Sequence, residues 1–234
     1  MGAIAAALQA CQNRISEACR QAGRDASCAT LLAVSKTFPE SAVREAWAAG
    51  QRCFGESYVQ EALGKMDMLA DLPIEWHFIG PLQSNKTRPV AERFHWVHGI
   101  EREKIALRLA EQRPNHLPPL QVCIQVNVSG EASKHGVPPE DALDLARVVS
   151  GLPALKLRGF MAIPEPSPDP AVQHARFRLL ADLLAQAKLA ELAVDTLSMG
   201  MSADLETAIA EGSTLVRVGT AIFGVRQYAK EETT

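Results

Sequence analysis

Lys36 is the residue whose type and place most directly offer chemistry. It follows the apolar run LLAVS at 31–35 and precedes Thr37, Phe38 and Pro39. A lysine closing an apolar strand sits at the rim of a core, where partial desolvation disfavours the ammonium form. The neutral amine can then add to a carbonyl and form a Schiff base. A solvated lysine at a strand–helix junction is the plainer alternative from position alone. Ser35 does not complete a Ser–Lys dyad with it. Adjacent strand residues point to opposite faces, and the chain holds no S-x-x-K motif.

A second constellation lies at 197–224, LSMGMSADLETAIAEGSTLVRVGTAIFG. One apolar run there closes into Met199, Gly200, Met201 and Ser202, the next into Arg217, Val218, Gly219 and Thr220. Glycine lets the backbone approach an anion, exposed N–H groups point at it, and Ser or Thr hydroxyls add donors. That is equipment for a phosphate dianion. The plainer alternative makes Ser202 a helix cap and Gly219 a turn residue. Asp204 and Glu206, which already complement a helix dipole, count against an anion. Arg217 interrupts an apolar strand. Such a charge is either paired or aimed at a ligand, where it can donate to a ring nitrogen or an acidic group.

Other candidates carry less. His95 and His98 fall on opposite faces of a strand, which disfavours joint metal ligation, so no metal site is expected. His77 fits a satisfied core position. Gly219 and Gly224 have the spacing of a P-loop, but Val225 stands in place of its lysine. Lys86, Arg88, Lys134 and His135 suit a basic rim or isolated surface charges.

The elements that position these residues alternate. Strands are expected at 31–35, 52–55, 75–79, 95–98, 120–126, 156–162, 196–199 and 215–218. Helical spacing falls at 39–49, 59–69, 101–112, 139–150, 170–192 and 203–211, after a leading helix at 3–22. Strand–helix repetition implies parallel strands with right-handed crossovers, hence an open doubly wound sheet or a closed barrel. Eight strands favour an α/β fold of the (β/α)8 TIM-barrel type with an extra N-terminal helix. Its active face then lies at the carboxyl ends of the strands, with phosphate commonly bound after strands seven and eight. The runs at 52–55 and 196–199 are short; losing either would restore the open sheet.

Bulk properties agree with one such domain spanning 1–234, with a leading helix at 1–23 and a polar, frayed tail at 229–234. The 234 residues are 47% hydrophobic and 22% charged, with a net charge of −3. That balance argues against disorder and against a nucleic-acid partner. No run approaches a membrane span, and the opening MGAIAAALQACQNR reads as an amphipathic helix rather than a signal peptide. Five cysteines, at 11, 19, 28, 53 and 123, form no C-x-x-C pair, which fits a reducing cytoplasm.

Five segments carry a resemblance: AVSKTFP at 33–39, FGESYVQEAL at 54–63, WHFIGPLQSNK at 76–86, GFMAIP at 159–164 and the 197–224 stretch. They resemble the pyridoxal phosphate homeostasis proteins, the proline synthase co-transcribed family, which are similar to the amino-terminal barrel of alanine racemase. The resemblance implies a barrel holding pyridoxal 5′-phosphate as an aldimine on Lys36. It implies phosphate contacts from Ser202, Gly219 and Thr220 with Met201 beside them, and Arg217 facing the pyridine nitrogen. Arginine does not readily release a proton to the ring, so the cofactor would be a poor electron sink. Where the family usually reads FGEN, this chain reads FGES; Ser57 keeps a hydroxyl but loses the amide. Lys134, in VNVSGEASKHG, is a candidate for a secondary role in receiving or passing on the cofactor.

The implied function is a cytoplasmic carrier or buffer of the cofactor in vitamin B6 and amino-acid homeostasis, without catalytic turnover. Its expected partners are pyridoxal-phosphate-dependent apoenzymes as acceptors. The second domain and partner-subunit tyrosine of alanine racemases have no counterpart in these residues, and neither Tyr58 nor Tyr228 is assignable as a base. A monomer is expected on the same ground. The alternative is a fold-type III enzyme such as a weak amino-acid racemase. A Schiff-base aldolase acting on a sugar phosphate also suits a barrel with a lysine and phosphate loops.

Overall fold

Eight parallel strands close into a barrel in sequence order, β1 to β8, in the computed structural model, which describes residues 2–131 and 135–225. The strands are β1 (Thr30–Val34), β2 (Cys53–Glu56), β3 (Glu75–Phe78), β4 (Trp96–Ile100), β5 (Leu120–Gln125), β6 (Leu155–Met161), β7 (Thr196–Ser198) and β8 (Leu215–Val218). The eight-stranded barrel is therefore the observed architecture. Closure falls between the ends of the chain: Leu32 pairs with Arg217 and Ala33 with Val218.

The helices are α1 (Ala3–Gln21), α2 (Glu40–Ala48), α3 (Val59–Met68), α4 (Thr87–Arg93), α5 (Glu103–Gln112), α6 (Ala142–Ser150), α7 (Pro170–Leu189), α8 (Leu205–Ala210) and α9 (Thr220–Phe223). The leading helix forms because Leu8, Cys11, Ile15, Ala18 and Cys19 make one buried stripe at helical spacing. Arg14 fastens it to the far end of the chain by pairing with Glu206 and donating to the Ser202 carbonyl at 2.8 Å. Helix α4 was not legible in the sequence. It has seven residues, fewer than two full turns of pattern, with Pro89 near its start, where the missing N–H costs nothing. Among the described residues no helix is long and apolar enough to cross a membrane.

The two strands that looked weakest are held differently. Strand β2 lies one residue later than 52–55 and pairs in register with β3 from Cys53–Glu75 to Glu56–Phe78. Strand β7 is three residues long and meets β8 at Ser198–Leu215. Side chains supplement this thin ladder: Ser213 Oγ donates to the Met199 carbonyl at 2.7 Å, and the Leu197 N–H donates to Thr214 Oγ1 at 2.9 Å.

Alternation sorts each strand into a helix-facing and an interior side. On β1, Leu31 and Ala33 join the main core under the helices, whereas Leu32 and Val34 face a small interior cluster with Ile79 and Leu215. The same alternation carries Lys36 onto the interior side beyond Val34. On β8 it places Arg217 inside with Leu215, and on β7 it places Ser198 inside. The barrel interior is thus partly polar.

Candidate functional site

The carboxyl end of β1 is shaped by buried charge. Lys36 is half-buried, and Thr37 after it adopts a left-handed backbone with φ of 69°. For a β-branched residue that conformation costs about 1–3 kcal/mol and persists only when its surroundings enforce it. Here the Thr37 N–H donates to Glu61 Oε1 at 2.6 Å. Lys65, on α3, donates to the Ser35 carbonyl at 2.7 Å, to Glu56 Oε1 at 2.7 Å and to Glu61 Oε1 at 2.6 Å. Ser35 Oγ adds a bond to Glu56 Oε1 at 2.7 Å. Burial raises the Glu56 carboxyl, with Lys65 pulling the other way. Both neighbours of Lys36 are thereby tied to one cluster joining β1, β2 and α3.

Across the mouth, Arg217 is 3% exposed. Its Nη1 donates to the Ser198 carbonyl at 2.5 Å and to Ser198 Oγ at 2.7 Å, and its Nη2 donates to the Ala162 carbonyl at 2.7 Å. Burial pushes the guanidinium down to about 10, still charged at neutral pH. These bonds use three of the five N–H donors of an arginine.

The loop after β7 turns on Gly200, whose φ is 93°; a Cβ there would meet the Ala208 side chain at 2.6 Å. Asp204 Oδ1 accepts from the Met201 N–H at 2.6 Å, and Glu206 is paired with Arg14. The two carboxylates that counted against an anion are therefore already engaged. After β8, Gly219 approaches β1 closely, an added Cβ lying 3.1 Å from the Val34 carbonyl oxygen. Thr220 is exposed and opens α9.

These parts meet. Lys36, Met201, Ser202, Arg217, Gly219 and Thr220 line one cavity of about 270 Å³, with Val34, Phe38, Ile79 and Ile163 as its apolar wall. Ser57 lies apart from that group. It lines an adjoining hollow of about 730 Å³, which shares Lys36, Ile79 and Ile163 with the first and is edged by Tyr58, Lys86, Arg102 and His135. The cavity sets an amine, a guanidinium, two hydroxyls and glycine backbone around a short apolar wall. That donor set suits a planar aromatic aldehyde with an anionic tail.

Comparison with known proteins agrees. The family model for the alanine racemase N-terminal domain matches residues 7–227. The pyridoxal phosphate homeostasis protein of Pseudomonas aeruginosa is 62% identical over 228 residues, covering 97% of this chain and 98% of that protein. The chain belongs to the pyridoxal phosphate homeostasis protein family. Among solved structures, PipY of Synechococcus elongatus PCC7942 without PLP is 37% identical with a TM-score of 0.85, covering 94% of this chain and 100% of that chain. The same protein with PLP bound gives 37% identity and a TM-score of 0.79, covering 90% of this chain and 100% of that chain.

Lys134, Tyr228 and the 229–234 tail lie outside the described residues. Arg88 is exposed and pairs with Glu92, whereas Lys86 and His135 edge the wide hollow. His95 and His98 do diverge: His95 Nδ1 accepts from the Trp76 N–H at 3.0 Å, and His98 lies in the interior beside His77. Two groups escaped the sequence reading, the Lys65 cluster and the interior histidines. The first had a local sign in Glu61 and Lys65, four apart on α3. The second needed the relative register of four strands.

Proposed function

We propose that this chain binds pyridoxal 5′-phosphate in the 270 Å³ cavity, covalently on Lys36, and serves as a carrier or buffer of the cofactor for acceptor apoenzymes. The observation that carries this reading is the convergence of Lys36, Ser202, Arg217, Gly219 and Thr220 on that one cavity. Bound pyridoxal phosphate supplies an aldehyde and a protonatable ring nitrogen. Lys36 Nζ would be the nucleophile toward that aldehyde, the one amine among the described residues lining the cavity able to form a C=N bond there with loss of water. Ser202 and Thr220, with the backbone N–H groups at Gly219 and Thr220, would hold the phosphate, and Met201 would pack beside it.

Arg217 favours holding over turnover. A guanidinium only donates, so it hydrogen-bonds an unprotonated ring nitrogen and leaves the ring a weak acceptor of electrons. Exchange is supported by the wide hollow next to Lys36, which gives an apoenzyme or free amine a route to the cofactor. Ser57 lines that hollow, and would approach the cofactor from that side. A reducing cytoplasm fits this role.

Borohydride reduction followed by peptide mapping tests the reading. Wild-type protein loaded with the cofactor should carry its mass on the peptide containing Lys36, and Lys36→Ala should carry none. Label on another lysine, or no label in wild type, would refute it.

A further inference from the structure

Below Arg217 the barrel interior carries a line of polar side chains that cofactor binding alone does not call for. Arg217 Nη1 meets Ser198 Oγ at 2.7 Å; Ser198 Oγ meets His98 Nδ1 at 2.8 Å; His98 Nε2 meets His77 Nδ1 at 2.9 Å; His77 Nε2 meets Glu75 Oε1 at 2.9 Å. Ser198, His98 and His77 are buried, whereas the Glu75 side chain is 42% exposed. Glu75 opens β3 and lines a hollow of about 300 Å³ at the opposite mouth of the barrel, with Cys53, Arg158 and Asp195. The line therefore runs from one mouth to the other through β8, β7, β4 and β3.

We propose that Ser198, His98, His77 and Glu75 are positioning residues that form one directed hydrogen-bond chain, orienting Arg217 towards the cofactor's ring nitrogen and coupling it to the charge of Glu75. The cofactor end of this inference rests on the function proposed above; the chain itself does not.

The direction follows from what the two ends can do. A guanidinium only donates, and a carboxylate only accepts. Between them stand one hydroxyl and two imidazoles, each neutral imidazole having one donor and one acceptor. Glu75 Oε1 accepts a hydrogen bond from His77 Nε2–H, so His77 Nδ1 accepts from His98 Nε2–H. His98 Nδ1 then accepts from Ser198, whose oxygen accepts from Arg217. Each contact is filled once, and both histidines carry their proton on Nε2. Burial holds both imidazoles below their ordinary range, His98 well below it with His77 and Arg217 pressing the same way, and the bond from His77 holds the Glu75 carboxyl down.

Other groups that face the line do not complete it. Cys53, on β2, touches Glu75 at 3.4 Å, and burial pushes its thiol up to about 12. Cys123, on β5, is likewise pushed up to about 12 by burial. His95 acts on Glu75 through space while its Nδ1 accepts from Trp76, and Asp204 acts on Arg217 through space while holding the Met201 N–H. Trp96 stacks on His77 with ring centroids 5.2 Å apart and planes 9° apart, which fixes the plane of that imidazole.

Two measurements test the chain, and the first needs no cofactor. In the apo protein labelled with ¹⁵N-histidine, NMR at neutral pH should show His77 and His98 as neutral Nε2–H tautomers. A proton on Nδ1 of either ring, or a charged ring, would overturn the proposal. The second uses Ser198→Ala, which cuts the chain, and Glu75→Gln, which keeps an acceptor but removes the charge. Each should weaken pyridoxal phosphate binding roughly three- to tenfold, the scale of one net hydrogen bond. Each should also shift the visible absorbance of the bound chromophore, with borohydride still fixing it on Lys36. Wild-type spectra and affinities in both folded variants would overturn the coupling. If wild type itself takes up no cofactor, the proposed function fails and the tautomer measurement still decides the chain.

Discussion

At the scale of single residues, the site is an amine and a guanidinium held by unlike means. In the proposed function Lys36 supplies the covalent bond, while the phosphate is gripped by residues that follow β7 and β8. Removing the amine should therefore abolish the covalent adduct without abolishing binding. Lys36→Ala is expected to lose the absorbance band of the Schiff base yet still take up pyridoxal phosphate in equilibrium dialysis, with affinity reduced by tenfold or more, about 1.4 kcal/mol for each factor of ten. Retention of the wild-type spectrum would contradict this.

The buried histidines make a separate prediction about pH. His77, His95 and His98 are held below the ordinary value near 6.5, chiefly by burial. As pH falls below about 6.5 the unfolded chain takes up protons there that the folded chain refuses. Stability is thus present above that value and lost on acidification, by at most about 1.4 kcal/mol per pH unit for each histidine. Glu75, whose carboxyl is lowered, adds to the loss only in the more acid range near the carboxylate value. Thermal melts should fall between pH 7.5 and 5.5, and His98→Gln should flatten that slope. A melting temperature that rises on acidification would show the imidazoles charged in the fold.

At the scale of elements, the turn after β1 depends on a helix that follows β2. Lys65 is 6% exposed and its partner Glu56 fully buried, so removing the ammonium leaves a buried carboxylate without its counter-charge. Lys65→Met is expected to cost about 3–5 kcal/mol in denaturant unfolding, and the double variant with Glu56→Gln to regain much of it. Because Lys65 also holds the Ser35 carbonyl and positions Glu61 under Thr37, the single variant should bind the cofactor less well. A single variant as stable as wild type would show the cluster to be dispensable.

Elements also explain what the sequence disclosed. Lys36, the two glycine-hydroxyl loops and Arg217 were legible because each announces itself within one strand and its following turn. Alternation and turn chemistry are local properties. The Lys65 cluster joins three elements, and the His77–His98–Ser198 line joins β3, β4 and β7 through barrel stagger, which no single segment reveals. Ser57 shows the same limit: its place in the adjoining hollow rather than the cavity depends on how β2 ends relative to β8. Helix α4 was missed for a different reason, being too short for periodicity to register.

At the scale of the whole molecule, the candidate cavity sits on the seam that closes the barrel. Lys36 follows β1, Gly219 and Thr220 follow β8, and Ser202 follows β7, so one bound molecule would bridge the first strand to the last two. The seam is unequal: β1 and β8 pair over four positions, whereas β7 and β8 meet at Ser198–Leu215. A ligand that contacts only the folded seam stabilises it by mass action, about 2.7 kcal/mol at a hundredfold excess over its dissociation constant. For a chain of this length that corresponds to a rise of roughly 5–11 °C in melting temperature. The gain should appear in hydrogen exchange as slower opening of β7, β8 and the end of β1, with β4 and β5 on the far side little changed. Lys36→Ala should show the β7–β8 protection but lose most of it at β1, because the covalent link to that strand is gone. Uniform protection around the barrel, or none at the seam, would mean that the cofactor does not tie the two ends of the chain together.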